Sequence, residues 1–121
     1  MKRLYALRGA VQCENKKDDI CTQIGLMYNE LLSNNKLNED EIVSVIFSVT
    51  DDLNAINPST ALRSTGKGGG DMSLFSVQEP ECVNSVERIV RVIIHCYLDE
   101  GSKPYHVYLN GAEVLRPDRK R

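Results

Sequence analysis

Residues Ile89 to Ile94 read Ile-Val-Arg-Val-Ile-Ile, a β-branched run as apolar as any stretch of the chain and broken once, by Arg91. A half-solvated strand alternates apolar with polar side chains. An apolar run of this kind therefore predicts a strand covered on both faces. A guanidinium cannot lose its proton, and burying it unpaired costs several kcal/mol. Something anionic or strongly hydrogen-bonding must meet Arg91. Either a carboxylate of the protein does so, or an acidic ligand does.

The chain has 121 residues, which predicts one domain, 1–121, with a real core but no room for two. Fifteen Lys and Arg against seventeen Asp and Glu give a net charge of −2, so no global field draws it to nucleic acid or to a membrane surface. No apolar stretch approaches the roughly 20 residues that cross a bilayer. The charged N-terminus, Met1 to Tyr5, is followed at once by Arg8 and Gly9 instead of an apolar export segment. The reading is a cytoplasmic protein. Cys13, Cys21, Cys82 and Cys96 form no C-x-x-C pair and match no zinc or disulfide spacing, which agrees. Trp is absent and aromatics are 6%, which argues against a base-stacking platform. The basic end, residues 116–121, is interrupted by Asp118 and reads as a flexible, solvated tail.

Leu4 to Ala10 predicts a first strand ending at Gly9. From Asp18 to Asn35, Ile20, Ile24, Met27, Tyr28, Leu31 and Leu32 fall at helical spacing with acids in the first turn, which predicts one long helix. Ile42 to Val49 predicts a second strand covered on both faces. Asn57-Pro58 is a helix N-cap with proline at the first position, opening a short helix to about Thr65. Gly66 to Asp71 predicts a flexible surface loop, then come strands at 72–78, 86–98 and 105–109, with Asn110-Gly111 as a turn. Residues 112–117 are extended or one helical turn. The order β-α-β-α-β-β-β is that of an α+β fold: a mixed five-stranded sheet with one long and one short helix packed on one face.

The glycine loop is not a phosphate loop, because Ala61 and Gly68 stand where a glycine and a Ser or Thr are required. It reads as a plain linker or a mobile cover for a site. His95 falls on the Arg91 side of its strand and reads as a hydrogen-bonded core residue. His106 has no partner at metal-ligand spacing, and no nucleophile-base pair can be assembled. No metal or cofactor is called for. What remains is polar residues at strand positions: Arg8, Glu79, Arg91 and Tyr108. Glu79 neutralising Arg91 in an internal ion pair explains them in structural terms. Two arginines and one glutamate nevertheless leave one positive charge over, which suits an anionic ligand.

At these residues the chain resembles the monofunctional, trimeric α/β chorismate mutases. The similarity is carried by Leu7-Arg8-Gly9-Ala10, by Ile46 to Leu53 with Pro58 and Arg63, and by Gln78-Glu79. Ile89-Val90-Arg91-Val92, His106 to Leu109 and Ala112 to Asp118 continue it, so it runs nearly end to end. The resemblance implies a homotrimeric pseudo-barrel with active sites at the subunit interfaces. It implies conversion of chorismate to prephenate, on the way to phenylalanine and tyrosine, without metal, cofactor or covalent intermediate.

The resemblance also assigns roles. Breaking the ether C–O bond of chorismate ahead of C–C formation puts partial negative charge on the ether oxygen, and a fixed guanidinium there stabilises the transition state more than the ground state. Arg91 would have this role. Arg8 and Tyr108 would hold carboxylate, Arg63 and Arg116 would add positive charge at the mouth, and Glu79 with Ser76 would meet the ring hydroxyl. Asn57, Thr60 and Leu115 fall at positions that line the substrate in that pattern. Holding the compact diaxial conformer adds an orientation contribution.

The chain also departs from the family pattern. Asn57 stands where an aromatic residue usually precedes the proline, Ser59 and Thr60 follow where relatives carry Ala and a charged or apolar residue, and the segment after Arg63 is glycine-rich. These changes bear on the apolar wall over the substrate ring, for which Phe75 would supply replacement bulk. Two other functions stay open: a catalytically diverged trimer that binds a small aromatic-pathway acid, motivated by Asn57 and the glycine loop, and an enamine/imine deaminase-like enzyme that also holds a carboxylate with arginine, which the segment order fits less well.

Overall fold

In the computed structural model, which describes residues 1–119, strands β1 (Lys2–Gln12), β2 (Ile42–Val49), β3 (Ser73–Gln78), β4 (Ile89–Asp99) and β5 (Val107–Leu109) form one sheet in the order β3-β2-β4-β1-β5. β4 is antiparallel to both β1 and β2, while β3 runs parallel to β2 and β5 parallel to β1. The sheet is mixed. Helices α1 (Lys17–Asn35) and α2 (Pro58–Ser64) share one core with one face of it, as the α+β reading expects.

Period-2 alternation decides what that core contains. Leu7 and Val11 of β1, Val45 and Phe47 of β2, and Val90, Val92 and Ile94 of β4 point to the helices and are buried. From α1 come Ile20, Ile24, Met27, Tyr28 and Leu31, five of the six residues of the predicted stripe; Leu32 is half-buried. Cys96 is buried in the same layer. No helix among the described residues is long and apolar enough to cross a membrane.

The prediction that β2 and β4 are covered on both faces is corrected. Along β4, Val90 to Leu98 alternate buried with half-exposed or exposed, and Arg91, Ile93, His95 and Tyr97 lie on the uncovered side. Among the described residues of one chain, only a small cluster, Ala10, Ile89 and Ala112 with Val86, Tyr108 and Leu115 against it, shields part of that face.

Several boundaries also move. β1 continues past Gly9 to Gln12. Gly9 does not end the strand but allows close packing: a Cβ there would lie 3.1 Å from Val92 Cγ1, 3.2 Å from Leu31 Cδ1 and 3.2 Å from the Val107 carbonyl oxygen. β4 starts at Ile89, not Val86, because Arg88 has a left-handed backbone (φ 52°) and its N–H donates to the Asp52 carboxylate at 3.1 Å. β5 is confined to residues 107–109. The preceding Tyr105 is held by Asn35, whose Nδ2 donates to the Tyr105 carbonyl at 2.9 Å and whose Oδ1 accepts the Tyr105 N–H at 2.8 Å. The glycine loop is anchored at its centre: Gly68 is buried and donates its N–H to Glu39 Oε2 at 2.9 Å, an oxygen that also accepts the Tyr28 hydroxyl at 2.6 Å. Residues 112–119 form two 3-10 turns, and Lys120 and Arg121 of the predicted flexible tail lie outside the described residues.

Candidate active site

The register of β4 builds the centre of the site. Ala10 of β1 and Ser48 of β2 lie opposite Arg91, and Arg8 lies opposite Ile93, so Arg8, Ser48 and Arg91 share the open face of the sheet. Glu79 continues the line of β3 by donating its N–H to the Val49 carbonyl at 2.8 Å. That places its carboxylate on the same face as Val77, two residues earlier, and over Arg91.

Arg91 Nε lies 3.3 Å from Glu79 Oε1, and the Ser48 hydroxyl donates to the same oxygen. The Arg91 side chain is 34% exposed and that of Glu79 26%, so this is a half-open ion pair and not one sealed in a core. Arg91 Nε itself is buried and makes no well-aligned hydrogen bond. Glu79 is the one ion-pair partner of Arg91 among the described residues, and none lies within reach of the Arg8 guanidinium. Two positive charges thus face one negative charge across a cleft of about 230 Å³ lined by Arg8, Ile46, Ser48, Glu79, Arg91, Val92 and Ile93. The adjoining hollow of about 340 Å³ also touches Glu79 and Arg91, but Asp51, Asp52, Glu81 and Glu87 make it acidic, which disfavours an anion there.

Neighbouring strands hold Arg8 in place. Its backbone N–H donates to His106 Nδ1 at 2.9 Å, tying β1 to the segment before β5. Tyr108 lies opposite Ala10 in β5, on the Arg91 face, and packs with Leu115 on the Ala10–Ile89–Ala112 cluster. Arg116 follows in the chain and binds Asp118 through two hydrogen bonds, Nε to Oδ1 at 3.0 Å and Nη2 to Oδ2 at 2.7 Å. That carboxylate raises the Arg116 pKa above the ordinary guanidinium range, with the nearby Tyr108 adding to the shift.

The other predicted residues do not gather around Arg91 within one chain. Asn57, Thr60 and Arg63 are exposed on α2, which packs against the opposite face of the sheet. Ser76 turns toward α2, where its hydroxyl lies 2.6 Å from Ser59 Oγ and donates to Asn57 Oδ1 at 2.9 Å. Phe75 is on the open face, opposite Ile46, and is 62% exposed. His95, read as a core residue, is half-buried on that face and hydrogen-bonded to Ser44 Oγ at 2.9 Å.

Sequence reasoning gave no role to Ser48 or Ser59. A signal for Ser48 exists: Ser44 and Ser48 interrupt the apolar run Ile42–Val49 four residues apart, which in a strand places both on one face. No group of His, Cys, Asp and Glu able to hold a metal ion occurs among the described residues.

Residues 4–119 match the family model described as chorismate mutase type I. A chorismate mutase AroH of Thermus thermophilus is 32% identical over 115 residues, spanning 93% of this chain and 93% of the relative. A chorismate mutase AroH of Bacillus subtilis is 26% identical over 117 residues, spanning 95% and 91%. The fold is similar to the solved structure of a chorismate mutase from Clostridium thermocellum, with a TM-score of 0.84 and 38% identity over 91% of this chain and 98% of that one.

Proposed function

The chain belongs to the type I chorismate mutase family and is a chorismate mutase; on that premise we propose that it works as a homotrimer with active sites between subunits, in which Arg91 faces the breaking ether bond. The observation that carries this reading is the Arg91 guanidinium, held at Nε by Glu79 yet lacking any other counterion among the described residues, beside Arg8 on an open sheet face.

The rearrangement of chorismate to prephenate is unimolecular and requires no proton transfer, so the site must hold and stabilise, not abstract. Glu79 Oε1 pairs with the Nε edge of Arg91 at 3.3 Å, which leaves the terminal nitrogens to meet charge developing on the ether oxygen. Such a donor acts in the transition state more than in the ground state, and so lowers the barrier. Arg8 and Tyr108 take carboxylate. Glu79 Oε2, which makes no hydrogen bond among the described residues, accepts from the ring hydroxyl. Leu115 and Arg116 close the cleft near Tyr108.

Two features support the assembly. Leu4 (49% exposed), Phe75 (62%), Val77 (41%) and Tyr97 (44%) give the uncovered face an apolar surface of the kind that marks an interface. Asn57, Thr60 and Arg63 stand on the far side of the sheet from Arg91, so a neighbouring subunit has to bring them to it.

Purified protein is incubated with chorismate, loss of its absorbance is followed, and the molar mass is measured by light scattering. Turnover well above the uncatalysed rate by a three-subunit particle is expected. A trimer with no turnover overturns the catalytic reading, and an active monomer overturns the shared site.

A further inference from the structure

We infer that Asn57 is a specificity-determining residue whose amide NH₂ group, and not its carbonyl, meets an oxygen of the bound dicarboxylate; the inference rests on the catalytic reading above. Hydrogen-bond roles fix which way this side chain faces. The backbone N–H of Ser59 can only donate, so the Asn57 atom 2.9 Å from it must be the carbonyl oxygen. Ser76 Oγ donates to the same oxygen at 2.9 Å. Having given its proton to Asn57, the Ser76 hydroxyl accepts from Ser59 Oγ at 2.6 Å.

These bonds form a closed ring: Ser59 O–H to Ser76, Ser76 O–H to Asn57, and Asn57 Oδ1 accepting the Ser59 N–H. Ser59 is 6% exposed, so one corner of the ring is buried in the body of the protein. Both lone pairs of the Asn57 oxygen are occupied. Its Nδ2, with two donors, makes no hydrogen bond among the described residues and belongs to an exposed side chain beside a hollow of about 260 Å³. In this arrangement Ser76, through its bond to Asn57, acts as a positioning residue.

Asn57 also has consistent company. Thr60 and Arg63 follow it at three-residue spacing, are exposed as it is, and α2 carries no acid. The exposed stripe of this helix is therefore rich in donors and free of negative charge, which suits a dicarboxylate and disfavours a cationic or donor-rich compound. Where a ring contact is usual in the family, this chain offers a fixed pair of N–H donors.

The test is Asn57→Asp, which separates the two halves of the amide. An aspartate oxygen still accepts from Ser59 and Ser76 and still caps α2, so the ring and the melting temperature are kept. The outward NH₂ becomes a second oxygen, which repels a carboxylate. We expect KM for chorismate to rise about tenfold or more with little change in kcat, since the contact is present in both ground and transition states. Binding of prephenate measured by calorimetry should weaken by a similar factor. An unchanged KM and an unchanged prephenate affinity in a fully active wild-type background overturn this inference and leave the catalytic reading standing. A wild-type protein that neither binds prephenate nor consumes chorismate overturns the catalytic reading, and this inference with it. A large fall in melting temperature in Asn57→Asp overturns the hydrogen-bond ring.

Discussion

The two faces of this sheet are made by alternate residues of the same strands and obey different rules. On the helix side Leu7, Val45, Phe47, Val90 and Ile94 are fully buried, and Leu31 and Ile24 of α1 fit between them. On the other side Arg8, Ser48, Arg91 and His95 alternate with Ile46, Ile93 and Tyr97, half-exposed and incompletely paired. A substitution on the first face should be felt as stability, and one on the second as activity or assembly. Phe47→Ala is the strongest test, since it leaves a cavity between β2 and the helices. It should cost about 3–5 kcal/mol in chemical denaturation. A loss well under 1 kcal/mol would mean that the helix-covered layer is not the principal core.

Arg91→Lys should do the converse. The ammonium keeps the charge but loses the planar fork, so the nitrogen paired with Glu79 and the one proposed to meet the ether oxygen can no longer both be supplied. Loss of about 10²–10³ in kcat is expected for a missing transition-state donor, with the unfolding midpoint nearly unchanged. If the rate stays near normal, Arg91 is a structural cation and its open face has another use.

How far the two faces can be read from sequence follows from the same division. α1 was legible because Ile20, Ile24, Met27 and Leu31 repeat at helical period against one continuous surface. Arg91 stood out because an arginine in Ile89–Ile94 violates an otherwise uniform apolar pattern. The burial of β4 was misread for the same reason: the apolar residues at 89 and 93 suggest a second cover that the chain does not itself supply. The clasp from Asn35 to Tyr105 and the Ser59–Ser76–Asn57 ring were not legible. Each joins residues 17 to 70 positions apart, or depends on which atom of an amide faces which donor. Gly9 was misread as punctuation because a glycine that ends a strand and one that admits a close neighbour look alike in sequence.

Assembly and packing give the intermediate effects. Tyr97→Glu puts a charge into the open face without touching the helix side, so the isolated chain should keep its stability within about 0.5 kcal/mol. The proposed trimer should dissociate, seen as a fall from the mass of three subunits to one. Retention of the trimer would place the interface elsewhere. Gly9→Ala acts on the helix side, where the Val107 carbonyl cannot rotate away from the new methyl group. A loss of about 1–3 kcal/mol is expected, as for other overpacked sites, and a stabilised protein would show that β5 shifts freely.

The smallest effect concerns the cysteines, which report on both sides at once. Burial pushes the Cys13 thiol up to about 12 and that of Cys96 up to about 11, whereas Cys82 is exposed beside Glu81. The thiolate is the reactive form, so at pH 8 an alkylating reagent should label Cys82 readily and leave Cys13 and Cys96 untouched until the chain unfolds. Cys96 lies in the helix-covered layer, so its protection should not depend on the oligomeric state. Its labelling in folded Tyr97→Glu would show that the helix face opens when the sheet loses its partners. The pH dependence has a definite sign. The folded state holds these protons above the ordinary thiol value of 9.0, while the unfolded chain releases them there. Their contribution is fully present below about pH 9 and declines as pH rises toward 11 and 12, because the unfolded state then binds fewer protons than the folded one. A denaturation midpoint that rises over that interval would mean that neither thiol is buried as described.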